Sequence, residues 1–247
     1  MSETHNRAGT DWTKDAELAA RAAVHAALGE PARLAIVDEL ATSDRSPKEL
    51  ADRLSIPSNL LAHHLEVLED VGLIARSPSA GDGRRKYVRL VRLVAPGIEA
   101  IGRAPQGQML FLCSQNSARS QLAAALWTAR TGRQASSAGT RPANRVHRGA
   151  VAAARRAGIS LADAVPRSIE SIPPRAQVVT VCDLAHEELE PGPEWWHWSI
   201  PDPVPSGTAA AFDAVVAELE ARVASVAAHL NAHDEDDKNK RTAVLLF

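Results

Sequence analysis

One eight-residue stretch, Cys-Ser-Gln-Asn-Ser-Ala-Arg-Ser at 113–120, constrains most strongly how this chain can fold. It follows the apolar run at 109–112 and precedes a helical pattern, which predicts a strand that turns through a loop into a helix. Backbone N–H groups at such a helix start can converge on a tetrahedral oxyanion. Cys113 would be the thiolate nucleophile, and the planar guanidinium of Arg119 would bind two oxygens. The predicted oxyanion-binding residues are Ser114, Gln115, Asn116, Ser117, Ala118 and Arg119.

Two further residues of this loop have predicted catalytic roles. Ser120 can donate a hydrogen bond to the sulfur of Cys113, and Asn116 tolerates the left-handed backbone that a tight cradle requires. The alternative is an inert buried cysteine before a helix. A second motif, Asp202-Pro203, favours the catalytic interpretation because it also follows a predicted strand and its carboxyl group can protonate a leaving oxygen.

The C-terminal half alternates strands with helices. We predict strands at 109–112, 134–138, 178–181 and near 198–200, and helices at 119–131, 147–157 and about 209–230. This order predicts an α/β fold with a doubly wound, four-stranded parallel sheet. Ligands bind at the carboxyl ends of such strands, so the loop at 113, the turn at Cys182 and the turn at Asp202 are expected on one rim.

The N-terminal half has a different pattern. Four short helical segments, from residue 14 to Gly72, precede two β-like segments around the turn signal Gly81-Asp82-Gly83, which predicts a winged helix-turn-helix. The chain is therefore expected to be an α+β protein with several parts. These are a disordered N-terminus (1–13), a winged helix-turn-helix domain (14–95), a linker (96–107), an α/β domain (108–232) and a tail (233–247), whose charged residues 233–242 predict disorder.

The fourth predicted helix is amphipathic. Leu61, Leu65 and Leu68 can pack on the core, which leaves the opposite face for a DNA major groove. Residues 76–92 carry six basic residues and one acid, in a chain with a net charge of −2. Clustered positive charge suits phosphate contacts, although a solvated hairpin without a DNA partner is the alternative. The predicted DNA-binding residues are Ser58, Asn59, Ala62, His63, Arg84, Arg85 and Lys86.

Composition limits the kinds of site available. The 247 residues include two cysteines, Cys113 and Cys182, which excludes a disulfide-rich scaffold and a metal site with three or four cysteine ligands from one chain. Adjacent side chains point about 100° apart on a helix, so His63-His64 is assigned no metal. No secretory signal or membrane span is expected, and the cysteine usage fits a cytoplasmic location.

The first half resembles the ArsR-type repressor family. The similarity is carried by 28–36 (Leu-Gly-Glu-Pro-Ala-Arg-Leu-Ala-Ile), 49–51, 60–68 and 72–74. The resemblance implies a homodimer that binds a palindromic double-stranded DNA operator. Arsenic-responsive members commonly bind trivalent arsenic through clustered cysteines, whereas this half has none. A thiolate-coordinated metalloid is therefore ruled out as its inducer.

The second half resembles the low-molecular-weight protein tyrosine phosphatase superfamily, which includes arsenate reductases of the same fold. The loop at 113–120 and Asp202-Pro203 carry this resemblance, which implies that Asp202 is the general acid and that arsenate or a phosphate compound is the substrate. The segment 197–203 looks like the reductase version. Tyrosine phosphatases of this fold usually place an aromatic residue after Asp-Pro, where this chain has Val204.

The resemblance to thioredoxin-linked arsenate reductases is incomplete. In those enzymes a second cysteine displaces arsenite from the first, and a third carries the disulfide to the surface. Cys113 matches the first cysteine and Cys182 the second, but the third, expected around Leu189, is absent. No bound cofactor is implied. An external thiol reductant is needed, either thioredoxin, a glutaredoxin-like protein or a low-molecular-weight thiol. Cys182 as a structural core residue is the alternative.

Three functions remain open at this point. The first is a DNA-binding transcriptional regulator fused to an arsenate reductase, which is our prediction. The second is a regulator whose C-terminal half senses an oxyanion or thiol oxidation. The third is a regulator fused to a phosphatase acting on phosphotyrosine or a small phosphoester.

Overall fold

The computed structural model describes residues 15–91, 102–105 and 107–244. The predicted N-terminal segment 1–13 and most of the predicted linker lie outside these residues. The N-terminal half contains four helices followed by an antiparallel hairpin, which confirms the predicted winged helix-turn-helix. Its elements are α1 (Ala16–Leu28), α2 (Pro31–Leu40), α3 (Pro47–Leu54), α4 (Ser58–Asp70), β1 (Ile74–Pro78) and β2 (Lys86–Leu90).

Local sequence explains where α3 begins. Ser46 and Glu49 form a capping box, in which Glu49 N donates to Ser46 Oγ at 3.3 Å and Ser46 N donates to Glu49 Oε2 at 2.7 Å. Pro47 occupies the first turn, where its missing N–H costs nothing. Arg45, directly before this cap, forms a β-bridge with Val88 of β2. The start of α3 is thereby tied to the hairpin.

The C-terminal half has a four-stranded sheet in the order β4-β3-β5-β6, and every neighbouring pair is parallel, as predicted. Its elements are β3 (Met109–Cys113), α5 (Arg119–Thr131), β4 (Ala135–Gly139), α6 (Arg148–Arg156), β5 (Gln177–Thr180), α7 (Asp183–Glu188), β6 (Trp196–His197) and α8 (Ala209–Val244). All five residues of β3, one of the two inner strands, are buried, so this strand ends at Cys113 inside the protein.

Two sequence predictions about this half need correction. The last strand lies at Trp196–His197 rather than near 198–200, because β5 ends at Thr180 and gives β6 only two paired positions. Helix α7 was not predicted. It is six residues long, too short to show a helical period, and begins directly after Cys182.

The prediction of disorder for 233–242 is also wrong, since α8 continues to Val244. Neither glycine nor proline occurs between Ala209 and Val244, so no helix-breaking residue ends the helix before the charged segment. Within the described residues, no helix is both long and apolar enough to cross a membrane.

The two halves contact each other through buried polar groups. Arg222 on α8 donates to both carboxylate oxygens of Asp44, at 2.7 and 2.9 Å. Asp44 N donates to His197 O at 2.7 Å, and Trp198 Nε1 donates to Thr42 O at 2.9 Å. These contacts hold the segment after α2 against the end of β6.

Candidate active site

The loop between β3 and α5 lies at the carboxyl end of the parallel sheet, as predicted. Cys113 is the last residue of β3 and pairs in register with Gly139, the last residue of β4. A Cβ atom at Gly139 would lie 2.7 Å from Ser114 O and 2.9 Å from Asn116 N. Glycine is therefore required here because the two loop backbones approach closely.

The carbonyl groups of this loop face away from its concave side. Four of them accept hydrogen bonds from N–H groups of the segment 140–147, at 2.8 to 3.2 Å. The accepting residues are Cys113, Ser114, Gln115 and Ser117. In a trans peptide the next N–H points opposite to the carbonyl, so the N–H groups that follow these carbonyls point toward the concave side. This orientation suits binding of an oxyanion.

The sulfur of Cys113 lies inside this loop, and the residue is 3 % exposed. Asn116 N donates to Sγ at 3.2 Å, with Asn116 in the left-handed conformation at φ 46°. Ser120 Oγ lies 3.0 Å from the same sulfur and accepts a hydrogen bond from Asn116 Nδ2 at 2.8 Å. The Ser120 hydroxyl hydrogen is therefore available to the sulfur, which is the arrangement that the sequence predicted.

The side chain of Asn116 supports the loop through residues that sequence analysis missed. Its Nδ2 also donates to Ser137 Oγ at 2.9 Å, and its Oδ1 accepts from Gln121 Nε2 at 3.0 Å and from Arg167 N at 2.8 Å. Gln121 could have been found as the polar residue directly before the apolar run 122–127 of α5. Arg167 contributes only its backbone, which carries no sequence signal.

Asp202 lies beside the loop, as predicted. Its Oδ2 is 3.0 Å from Arg119 Nη2, and Arg119 Nη1 donates to Ile200 O at 3.0 Å. The side chain of Arg119 is 11 % exposed, whereas that of Asp202 is 40 % exposed. The arginine is thus held within the site while the carboxylate remains open to water.

Cys182 is buried beside the same loop. Its Sγ accepts a hydrogen bond from Ala185 N at 3.4 Å and lies 3.5 Å from Ser114 Oγ. Burial raises the pKa of the Cys182 thiol, although the positive charge of Arg119 acts in the opposite direction. The protonated thiol is therefore its favoured form in the folded protein.

These side chains surround one cavity of about 330 Å³. Cys113, Arg119, Cys182 and Asp202 all line it, so the structure brings together both cysteines, the arginine and the carboxylate. The remaining lining residues are Ala80, Ser114, Gln115, Ser117, Ala118, Asp183, Leu184, Val204 and Pro205. Asn116 is predicted to bind the oxyanion, but its side chain points into the supporting network rather than the cavity.

The predicted DNA-binding face is solvent-accessible. Leu61, Leu65 and Leu68 are between 0 and 2 % exposed, so the apolar side of α4 packs on the core as predicted. The residues proposed to read DNA are exposed: Ser58, Asn59, Ala62, His63, Arg84, Arg85 and Lys86. The Arg84 side chain is 93 % exposed, but its Nε lies 3.1 Å from Asp82 Oδ1, which offsets part of its charge.

The class of the C-terminal half is established by comparison with known protein families. The family model described as "Low molecular weight phosphotyrosine protein phosphatase" matches residues 108–236. This is more than half of the chain, and the chain therefore belongs to that family. A second model, described as "Helix-turn-helix domain", matches residues 28–76. The protein is thus a helix-turn-helix domain joined to a low-molecular-weight phosphatase domain.

Individual relatives match one half each. The HTH-type transcriptional repressor SmtB of Mycobacterium tuberculosis is 39% identical over 64 residues, which are 26% of this chain and 45% of the repressor. The chain thus spans less than half the length of that relative. An arsenate reductase from Archaeoglobus fulgidus is 28% identical, covering 49% of this chain and 99% of its own, with a TM-score of 0.42. The tyrosine phosphatase Wzb from Escherichia coli is 19% identical, covering 51% and 99%, with a TM-score of 0.45.

Proposed function

We propose that this chain is a DNA-binding regulator whose C-terminal domain reduces arsenate to arsenite. The observation that carries the proposal is that two thiols, Cys113 and Cys182, line one cavity together with Arg119 and Asp202. Hydrolysis of a phosphoester needs only one thiol. With a second thiol at the same site, the two thiols together can supply the two electrons that arsenate reduction requires, by forming a disulfide.

In the first step, arsenate binds to the N–H groups of the 113–120 loop and to the guanidinium of Arg119. The Cys113 thiolate attacks arsenic, and one arsenic–oxygen bond breaks as the sulfur–arsenic bond forms. Asp202 donates a proton to the departing oxygen, which leaves as water. Binding of the oxyanion by Arg119 competes with the ion pair to Asp202, and this allows the half-exposed carboxylate to take up that proton.

In the second step, Cys182 loses its proton and its sulfur attacks the sulfur of Cys113. The sulfur–arsenic bond breaks, and its electron pair goes to arsenic, which leaves as arsenite. The two thiols are oxidised to a disulfide as As(V) is reduced to As(III). An external thiol reductant, which is a dithiol protein such as thioredoxin, a glutaredoxin-like protein or a small thiol, then restores both cysteines.

The test is arsenite production from arsenate by the purified chain, with each class of thiol reductant supplied separately. We expect arsenite with wild-type protein and none with Cys113→Ser. Hydrolysis of p-nitrophenyl phosphate is measured in the same preparations. Ester hydrolysis without arsenite would replace the reductase by a phosphatase.

A phosphatase is the second candidate, and a specific observation favours it. The thiol of Cys182 has a raised pKa and is 1 % exposed as a residue, so it must be deprotonated before it can attack. Cys113, Arg119 and Asp202 suffice for transfer and hydrolysis of a phosphoryl group without it. A sensor that binds the oxyanion without turnover would use the same loop. Oxyanion binding with neither arsenite production nor p-nitrophenyl phosphate hydrolysis would identify a sensor.

The N-terminal half is proposed to bind double-stranded DNA as a homodimer. Support comes from the exposed polar face of α4, the basic hairpin and the similarity to a transcriptional repressor. We also propose the domain limits 14–95 and 108–232, and a cytoplasmic location, where DNA and thiol reductants are both accessible. An electrophoretic shift assay tests this role, and binding that shows no preference among DNA sequences would contradict a regulator.

A further inference from the structure

The loop between β1 and β2, here called the hairpin loop (residues 79–85), lies against the C-terminal half beside the cavity. Ala80 N donates to Asp183 Oδ2 at 2.7 Å. The other oxygen of Asp183 lies 3.0 Å from Nε2 of the buried His197. Asp183 directly follows Cys182, so one carboxylate connects the hairpin loop with the backbone of the second cysteine.

A second carboxylate holds the same loop. Glu187 Oε1 accepts from Ser79 Oγ at 2.7 Å, and Glu187 Oε2 accepts from Asp82 N at 2.9 Å. The fit is close, because a Cβ atom at Gly81 would overlap Glu187 Oε2 and lie 3.3 Å from Leu184 Cα. A larger residue at Gly81 must therefore displace either Glu187 or the hairpin loop.

This contact brings the N-terminal half into the wall of the cavity. Ala80 lines the cavity together with Cys113 and Arg119, and it is the one lining residue that precedes position 100 among those described. Cys113 is buried at 3 % exposure, whereas Ala80 and Leu184 are exposed, which places them at the mouth. The lining includes no aromatic side chain among the described residues, and its volume of about 330 Å³ lies at the lower end of the ~300–1,000 Å³ typical of ligand pockets.

We propose that the hairpin loop is a specificity-determining wall of the active site, with Ala80 restricting the cavity to compact oxyanions and small phosphoesters. Asp183 and Glu187 are positioning residues that fix this wall through Ala80, Ser79 and Asp82. Phosphotyrosine within another protein needs room at the mouth for the aromatic ring and for the polypeptide that carries it. The hairpin loop takes up part of this space, because Ala80 lies at the mouth.

The inference rests on the proposed function, since it assumes that the oxyanion binds at the Cys113 loop. Within that function, the hairpin loop limits the substrate class and gives the N-terminal half a role in substrate specificity. The full-length chain is required in any test, because the wall comes from one half and the loop from the other.

The experiment measures binding of inorganic phosphate, phenyl phosphate and a phosphotyrosine peptide by calorimetry in four full-length proteins. These are the wild type, Gly81→Ala, Ala80→Trp and the matched control Gly83→Ala. A Cβ atom at Gly83 meets nothing within 4 Å, so this control changes the same hairpin loop without touching α7. Circular dichroism checks that each variant is folded.

We expect Gly81→Ala to bind the peptide about tenfold more tightly relative to phosphate, because the added methyl group displaces either the wall itself or the Glu187 carboxylate that fixes it. Ala80→Trp should lower the affinity for phenyl phosphate about tenfold, while the affinity for inorganic phosphate should change less than about twofold. If all four proteins bind phosphate and show the same selectivity among the three ligands, the hairpin loop is not a specificity-determining wall, while the proposed function stands. Absence of phosphate binding in folded wild-type protein would refute the proposed function and, with it, the specificity role of the hairpin loop.

Discussion

Arg119 Nη2 lies 3.0 Å from Asp202 Oδ2, so the residue proposed to bind the oxyanion is paired with the residue proposed to protonate the leaving oxygen. The pair neutralises two charges that would otherwise stand alone beside a buried cysteine. Binding of an oxyanion must break or share this pair, since both ligands use the same guanidinium. In the proposed mechanism, arrival of the oxyanion at Arg119 would therefore release Asp202 to act as the general acid.

Replacing Asp202 by Asn should separate binding from chemistry. The amide keeps the shape of the side chain but has no acidic proton, so kcat for p-nitrophenyl phosphate or arsenate should fall about 10²-fold or more. Phosphate affinity should rise slightly, because Arg119 no longer has a carboxylate partner. Steady-state kinetics and calorimetry measure the two effects, and an unchanged kcat would remove Asp202 from the mechanism.

Replacing Cys182 by Ser should distinguish a reductase from a phosphatase. If Cys182 displaces arsenite, the serine variant loses arsenite production but keeps hydrolysis of p-nitrophenyl phosphate within about threefold, because phosphoryl transfer uses only Cys113. Mass spectrometry of the wild type after one turnover without reductant should show a Cys113–Cys182 disulfide. Full arsenate turnover by the variant would instead make Cys182 a structural residue.

Gly139→Ala should impair the oxyanion loop from a neighbouring strand. The added Cβ would meet the backbone of Ser114 and Asn116 below 3.0 Å, and backbone atoms cannot move aside as a flexible side chain can. We expect phosphate affinity to fall about tenfold or more, since the N–H groups lose their alignment. Gly29→Ala is the control, because its Cβ meets only ordinary contacts at 3.6 Å. Equal affinity in the two variants would contradict the close approach.

Stability should depend on pH through Glu49, which lies where α3 meets α7. Burial raises the pKa of Glu49, but hydrogen bonds from His186 and Ser46 outweigh it and lower the pKa from 4.5 to about 2. Because the pKa of Glu49 is lower in the folded than in the unfolded chain, the ionised carboxylate stabilises the fold fully above about pH 4.5. This stabilisation is lost as the pH falls toward 2. Up to about 3 kcal/mol of the unfolding free energy is involved.

Urea unfolding of wild-type protein and Glu49→Gln at several pH values measures this effect. The glutamine variant should be less stable near neutral pH and should lose less stability between about pH 5 and pH 2. Parallel losses of stability in the two proteins would show that the Glu49 carboxylate has the same pKa in the folded and unfolded chains.

The ion pair between Asp44 and Arg222 should hold the two halves together. Their side chains are 1 % and 14 % exposed, so Asp44→Ala leaves a largely buried guanidinium with Glu218 as its remaining ion-pair partner among the described residues, and it should cost about 3 kcal/mol. Arg156→Ala breaks an exposed pair with Asp213 and should cost less than about 1 kcal/mol. Urea unfolding monitored by tryptophan fluorescence compares them, and equal costs would show that the interface pair is not buried in solution.

Most secondary structure of the two halves could be predicted from local patterns. The capping box at Ser46, the period of α4 and the strand before Cys113 depend on residues close in sequence, which is why these elements were predicted. The errors lie where partners are distant or where local stop signals are lacking. β6 is placed by pairing with β5, α7 is too short to show a period, and α8 continues because no glycine or proline ends it.

The sequence by itself determined the chemistry of the candidate site. Cys113, Arg119 and Ser120 lie within eight residues, and a strand–loop–helix turn is enough to bring the Ser120 hydroxyl to the Cys113 sulfur. Only the tertiary structure decided what surrounds that chemistry. The pairing of Arg119 with Asp202 and the contact between Ala80 and Asp183 join residues far apart in the chain. The first contact depends on how distant segments of the C-terminal half come together at one edge of the sheet, and the second depends on how the two halves pack. No periodicity or spacing in the sequence encodes either contact.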